Sequence, residues 1–267
     1  MASFPFIVKT RGSQATVIAR FPVNAASRAY VDAEIEKVRH CVIPICGEDR
    51  QKRPGLIGSA VLLHVDGADV LVTAAHVLKD NADVALFVFG ADGSGQSLAG
   101  KFLLDDQEDL AAMRVSPELS KHLSHVTPLP QSMVGSTVLD DGRFYGSVVG
   151  YPASSSKRPE RGVLRTPMEV YSNRGTEIIG GRLSIQFDRE SGAFSGKTGH
   201  GTARKPTGKS GGAIFAFRLL GINAVWPTIS PKFIGIATHW KHKENRIEGV
   251  GPAALTRILK AVLQGVA

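Results

Sequence analysis

Pro206-Thr207-Gly208-Lys209-Ser210-Gly211-Gly212, continued by Ala213-Ile214-Phe215-Ala216-Phe217, is a Gly-rich turn that delivers one hydroxyl and runs straight into an apolar, strand-like segment. Glycines on both sides of a serine suit a backbone that must bend sharply and let another group approach closely. The same bend can aim the backbone N–H groups of Gly208 and Ser210 at one place, where a developing negative oxygen could sit. Ser210 alone decides nothing, because a serine between glycines is more often only a turn. The stretch gains chemical meaning if the chain also supplies a base and an orienting carboxylate.

It supplies both. Thr73-Ala74-Ala75-His76-Val77 follows the apolar run Val70-Leu71-Val72, and Asp109-Leu110-Ala111-Ala112-Met113-Arg114-Val115 opens another strand-like run. The order is His76, Asp109, Ser210, at intervals of 33 and 101 residues. Each has rivals. The chain has eight histidines, and a lone histidine near apolar residues is usually structural; His64, on the preceding strand, reads that way. Asp105, Asp106 and Glu108 read as a solvated acidic turn. Asp109 stands at a strand start, because Leu110, Ala111, Met113 and Val115 then enter the core.

TAAH, DLA and GKSGG, each weak alone, together resemble the trypsin/chymotrypsin-like serine peptidases of bacterial type in their chain order of base, acid and nucleophile. The resemblance runs from about residue 40 to about residue 265. It implies an all-β fold of two six-stranded antiparallel β-barrels, with an N-terminal extension and a C-terminal helix. The extension with its short helix would cover residues 1–40. A first barrel over 41–125 would carry His76 and Asp109, and a second over 126–267 would carry Ser210 and the helix.

The same resemblance implies a serine endopeptidase acting on a protein or peptide substrate, with His76 as base, Asp109 as orienting acid and Ser210 as nucleophile. Gly208 and Ser210 would supply the oxyanion hole, and no metal or organic cofactor is called for. The position that floors the family's specificity pocket, six before the nucleophile, is Arg204. With Thr238 and His239 on a pocket wall, Arg204 is a candidate substrate contact, and Arg204, Lys205, His200 and His239 would favour an acidic residue. Gly249-Val250-Gly251 would lie near the other wall. Zymogen-type members place an aspartate just before the nucleophile to receive a newly cut N-terminal amine. Here that residue is Lys209, which cannot accept an ammonium, so restraint would have to come another way, such as a regulatory or activating protein partner. The alternative is a dormant form of the same fold, used as a protein-binding module.

Composition narrows the remaining classes. The net charge of +8 permits attraction to acidic surfaces, but no basic run interleaves with aromatics, which disfavours a nucleic-acid partner. Cys41 and Cys46, five apart in one strand-like run, do not suggest a disulfide framework. No segment approaches the ~18 unbroken apolar residues of a membrane span, and no secretory pattern opens the chain; the expected compartment is the cytoplasm. Ser195-Gly196-Lys197-Thr198 and Gly208-Lys209-Ser210 look like the tail of a phosphate-binding loop. The glycine that motif requires first is replaced by Ser191 or Ala203, and a strand follows Ser210 where a helix should, so nucleotide binding is rejected.

Local signals complete the reading. Residues 15–22 suit a strand, and Ser27 an N-cap for a helix to about residue 40. Asp66-Gly67 signals a hairpin. Residues 191–208 read as nearly strand-free. Leu255, Ile258, Leu259, Val262 and Leu263 stand at helical spacing, predicting a helix over 253–266 packed on the second barrel.

Overall fold

A computed structural model describes residues 7–11, 14–18, 25–48, 54–98, 100, 102–135, 142–153, 166–188, 193–195, 199–201, 205–217 and 231–265. A small antiparallel pair, β1 (Ile7–Arg11) and β2 (Gln14–Ile18), comes first. Helix α1 (Ala25–Val38) begins ahead of Ser27, so Ser27 is not its cap. Val31 and Ile35, one turn apart on α1, are both buried.

The next strands are β3 (Val42–Glu48), β4 (Pro54–Val65), β5 (Ala68–Ala74), β6 (Leu86–Phe89), β7 (Gly95–Ser97), β8 (Leu103–Asp105) and β9 (Leu110–Arg114). They form one antiparallel sheet in the order β7-β6-β3-β4-β5-β9-β8. Asp66 and Gly67, joining β4 to β5, have φ of 48° and 75°, the left-handed pair that matches the natural twist of a two-residue hairpin. A short helix, α2 (Ala75–Lys79), caps the end of β5. After β9 comes α3 (Pro117–His122), whose N-cap Ser116 accepts a bond from Leu119 N–H. Then β10 (Leu129–Pro130) runs parallel to β4.

The second sheet contains β11 (Arg143–Gly150), β12 (Glu169–Ile178), β13 (Arg182–Gln186), β14 (Ala193–Ser195), β15 (Gly199–Gly201), β16 (Ala213–Phe217), β17 (Pro231–Lys241) and β18 (Arg246–Val250). Its path β11-β16-β17-β18-β13-β12 closes because β12 pairs back onto β11. One six-stranded antiparallel barrel is therefore closed. The first sheet is not closed among the described residues: its outer strands β7 and β8 have three residues each and offer few ladder bonds with which to meet. The expectation of two closed barrels holds for one. The β14–β15 hairpin also corrects the strand-free reading of that stretch.

Three apolar clusters fill the interior: one lies within the first half, one within the barrel, and one is shared between them. On β4, Ala60 and Leu62 face the first sheet's own core, while Val61, Leu63 and Val65 face the other way. This is the two-residue alternation of a strand buried on both sides. That second face meets Val149, Phe215, Phe233 and Ile236 of the barrel in a shared core. Helix α4 (Pro252–Leu263) buries Leu255, Ile258 and Leu259 in the same shared core. It lies across the junction, not on the barrel alone, and its Arg257 reaches Asp105 (2.9 Å) and Glu108 (3.2 Å) in the turn before Asp109. Cys41 and Cys46 are free and buried, and burial pushes both thiols up to about 12. No helix among the described residues is long and apolar enough to cross a membrane.

Candidate active site

Strand pairing assembles the first two residues. β5 runs antiparallel to β9 with Ala74 opposite Leu110, so the end of one strand meets the beginning of the other. His76 sits on α2 just past β5, and Asp109 just before β9. Asp109 has φ of 58°, a left-handed conformation that aspartate tolerates better than most residues. In this conformation its carbonyl accepts from Ala75 N–H (3.1 Å). One carboxylate oxygen, Oδ1, accepts from His76 backbone N–H (2.9 Å), and the other, Oδ2, faces His76 Nδ1 (2.8 Å). A carboxylate only accepts, so Nδ1 is the donor and the Nε2 lone pair is left free.

The charges respond accordingly. The hydrogen bond to Asp109 raises the His76 pKa, against the lowering effect of burial. Burial pushes Asp109 up, but the bonds from the His76 ring and backbone and the charge of His76 together outweigh it, and the carboxyl ends below its ordinary value.

Ser210 arrives on a different turn. Lys209 N–H donates to Pro206 carbonyl (2.8 Å) with Gly208 at φ 90°, the pattern of a type II turn. Gly211 has φ 83°, and a Cβ there would stand 1.9 Å from the Ser59 carbonyl oxygen. Ser59, on β4 of the first sheet, ties this turn down. Its N–H donates to Ser210 carbonyl (2.8 Å). Its hydroxyl accepts from Tyr151 N–H (3.0 Å) and donates to Gly208 carbonyl (3.3 Å). Thr73 in turn donates to the Ser59 carbonyl (2.7 Å). The bracing role of Ser59 depends on the two sheets being in place, since its partners lie on segments far from it in sequence. Gly211 N–H and Ala237 N–H complete the clamp by bonding Ala237 and Gly212 carbonyls, each at 2.8 Å.

Among the described residues, the N–H groups of Gly208 and Ser210 have no acceptor. Ser210 Oγ donates to Thr238 carbonyl (3.0 Å) and makes no hydrogen bond to His76. The Thr238 side chain is 2% exposed and turned toward Glu248 carbonyl, so only its backbone faces the site. A Cβ on Gly249 would meet Ile214 Cδ1 at 2.3 Å, so this glycine packs closely against the barrel interior. His239 is open to solvent, with Nδ1 3.6 Å from Asp109 Oδ2 and its ring 5.3 Å from that of His76. Burial lowers its pKa, opposed by Asp109. Arg204 and the side chain of His200 lie outside the described residues.

Lys209 is buried, with Nζ 3.6 Å from Glu169 Oε2 on β12 and 6.0 Å from the Tyr171 ring centre. Burial lowers its pKa, opposed by Glu169. The lysine that breaks the zymogen pattern thus has an acidic neighbour within its own barrel.

The description "Trypsin-like peptidase domain" matches residues 58–222, and the chain belongs to that family. No curated protein matches it. Among solved structures it is similar to a chain described in the words "Aromatic interactions drive the coupled folding and binding of the intrinsically disordered Sesbania mosaic virus VPg protein". The identity is 16% over 81% of this chain and 89% of that one, with a TM-score of 0.44.

Proposed function

We propose that this protein is a serine endopeptidase that cleaves protein or peptide substrates through an acyl-enzyme. The observation that carries the proposal is the double grip of Asp109 on His76, which leaves Nε2 as the free base. Ser210 Oγ rotates from Thr238 carbonyl to His76 Nε2 and gives up its proton as it attacks the substrate carbonyl. The imidazolium, stabilised by Asp109, returns that proton to the leaving amine. The N–H groups of Gly208 and Ser210 receive the oxyanion, each worth about 3 kcal/mol in comparable sites. Water then enters on the same base and releases the acyl group.

One observation favours the second reading, a dormant fold used for protein binding: the hydroxyl rests on Thr238 and not on His76. A substrate or a regulatory protein that takes the Thr238 carbonyl would free the Ser210 hydroxyl to turn toward His76. Fluorophosphonate labelling of wild type and Ser210→Ala tests both. Labelling that vanishes in the variant supports the endopeptidase, whereas a folded wild type that is never labelled refutes it in favour of the dormant form.

A further inference from the structure

We propose that Asp109, His76 and His239 form a site for a zinc-type divalent ion, and that filling it disables the base. One donor atom from each of the three residues lies within 4.8 Å of the others. Zinc bonds to imidazole nitrogen and carboxylate oxygen are about 2.0–2.2 Å, so tetrahedral ligands stand ~3.4 Å apart. The pairs centred on Asp109 Oδ2 measure 2.8 Å to His76 Nδ1 and 3.6 Å to His239 Nδ1, so small shifts of opposite sign reach that spacing. Two imidazoles and a carboxylate are ligands of the borderline type zinc accepts, and the set lacks the many oxygens that calcium or magnesium demands.

The supports are unequal in a useful way. Asp109 Oδ1 stays on His76 backbone N–H, which orients the carboxylate as an outer-shell bond does in metal sites. The His239 side chain is 47% exposed, so it can adjust, and the ion has a way in. Arg182 and Lys241 act on His239 electrostatically; they oppose a cation and keep it exchangeable.

The consequence follows from proton bookkeeping on one ring. Free His76 carries its proton on Nδ1. An ion that takes the Nδ1 lone pair leaves the neutral ring with its single proton on Nε2, moved there through solvent with no net release. A protonated Nε2 cannot accept from Ser210. The ion therefore silences the nucleophile through its base. This inhibitory half rests on the proposed peptidase mechanism; the binding half does not.

Calorimetry with zinc chloride on wild type, Ser210→Ala, His239→Phe and His239→Gln tests the binding. One ion per chain is expected for the first two proteins, and ~100-fold weaker binding for both His239 variants. Zinc should slow fluorophosphonate labelling of wild type, a chelator should restore it, and each His239 variant compared with itself should respond far less. No binding to wild type, or equal binding to folded His239 variants, overturns the site. Zinc binding that depends on His239 in a protein never labelled under any condition would uphold the site and remove the peptidase.

Discussion

Replacing Asp109 by asparagine tests the grip on His76 with almost no change in shape, since asparagine also tolerates the left-handed φ. The outcome can be worked from two contacts. His76 backbone N–H can only donate, so the amide oxygen must take the place of Oδ1, 2.9 Å away. The amide NH₂ then occupies the place of Oδ2, 2.8 Å from His76 Nδ1, and it too can only donate. The flipped amide would set two fixed donors against each other at the backbone, whereas the ring can relieve the conflict by moving its proton from Nδ1 to Nε2. The base is thereby blocked. In the comparable peptidase triad this exchange costs ~10⁴-fold, or about 5.4 kcal/mol of barrier. Folding should suffer less: two charge-assisted bonds become neutral ones, a loss of about 2 kcal/mol. The assay is the rate of fluorophosphonate labelling of Ser210, paired with nitrogen-15 spectra that report which ring nitrogen carries the proton. A folded variant labelled within tenfold of wild type, or one whose proton stays on Nδ1, would refute the reasoning.

The pH dependence has a definite sign. His76 is raised above 6.5 by Asp109, so its contribution to stability is complete below 6.5 and is lost as pH rises through the higher folded value. Labelling needs the neutral ring and should rise through that same window; a midpoint at or below 6.5 would contradict the pairing. Gly211→Ala forces a side chain into left-handed backbone against the Ser59 carbonyl, and should cost about 2–6 kcal/mol in urea unfolding; a cost under 1 kcal/mol would mean the turn is looser than described. Glu169→Gln leaves Lys209 with a weakened partner and should cost about 3 kcal/mol. Adding Lys209→Met should recover most of it in the same unfolding assay, and no recovery would show that the pair is not coupled.

Much of the local structure was readable one motif at a time. Asp66-Gly67 announced its hairpin because two residues that accept positive φ leave few other conformations. Leu255, Ile258 and Leu259 announced α4 because their spacing repeats every turn. What α4 rests on was not readable: an apolar stripe states that it must be covered, not by what, and the cover proved to be both sheets at once. Closure of a barrel was equally out of reach, since it depends on whether the outer strands meet: β12 reaches β11, whereas among the described residues β7 and β8 do not pair.

Sequence by itself determined the residue types of the site, their order and their local turns, because these rest on short-range constraints: the glycines around Ser210, the strand starting after Asp109, the strand ending before His76. Tertiary structure alone decided what those residues touch. It set the two hydrogen bonds from His76 to Asp109, the Ser59 brace across the two sheets, the Glu169 neighbour of Lys209, the resting place of Ser210 Oγ on Thr238, and the approach of His239 to Asp109. Each joins segments distant in sequence, and such contacts form only when a shared core fixes one sheet against the other, at distances no local pattern encodes.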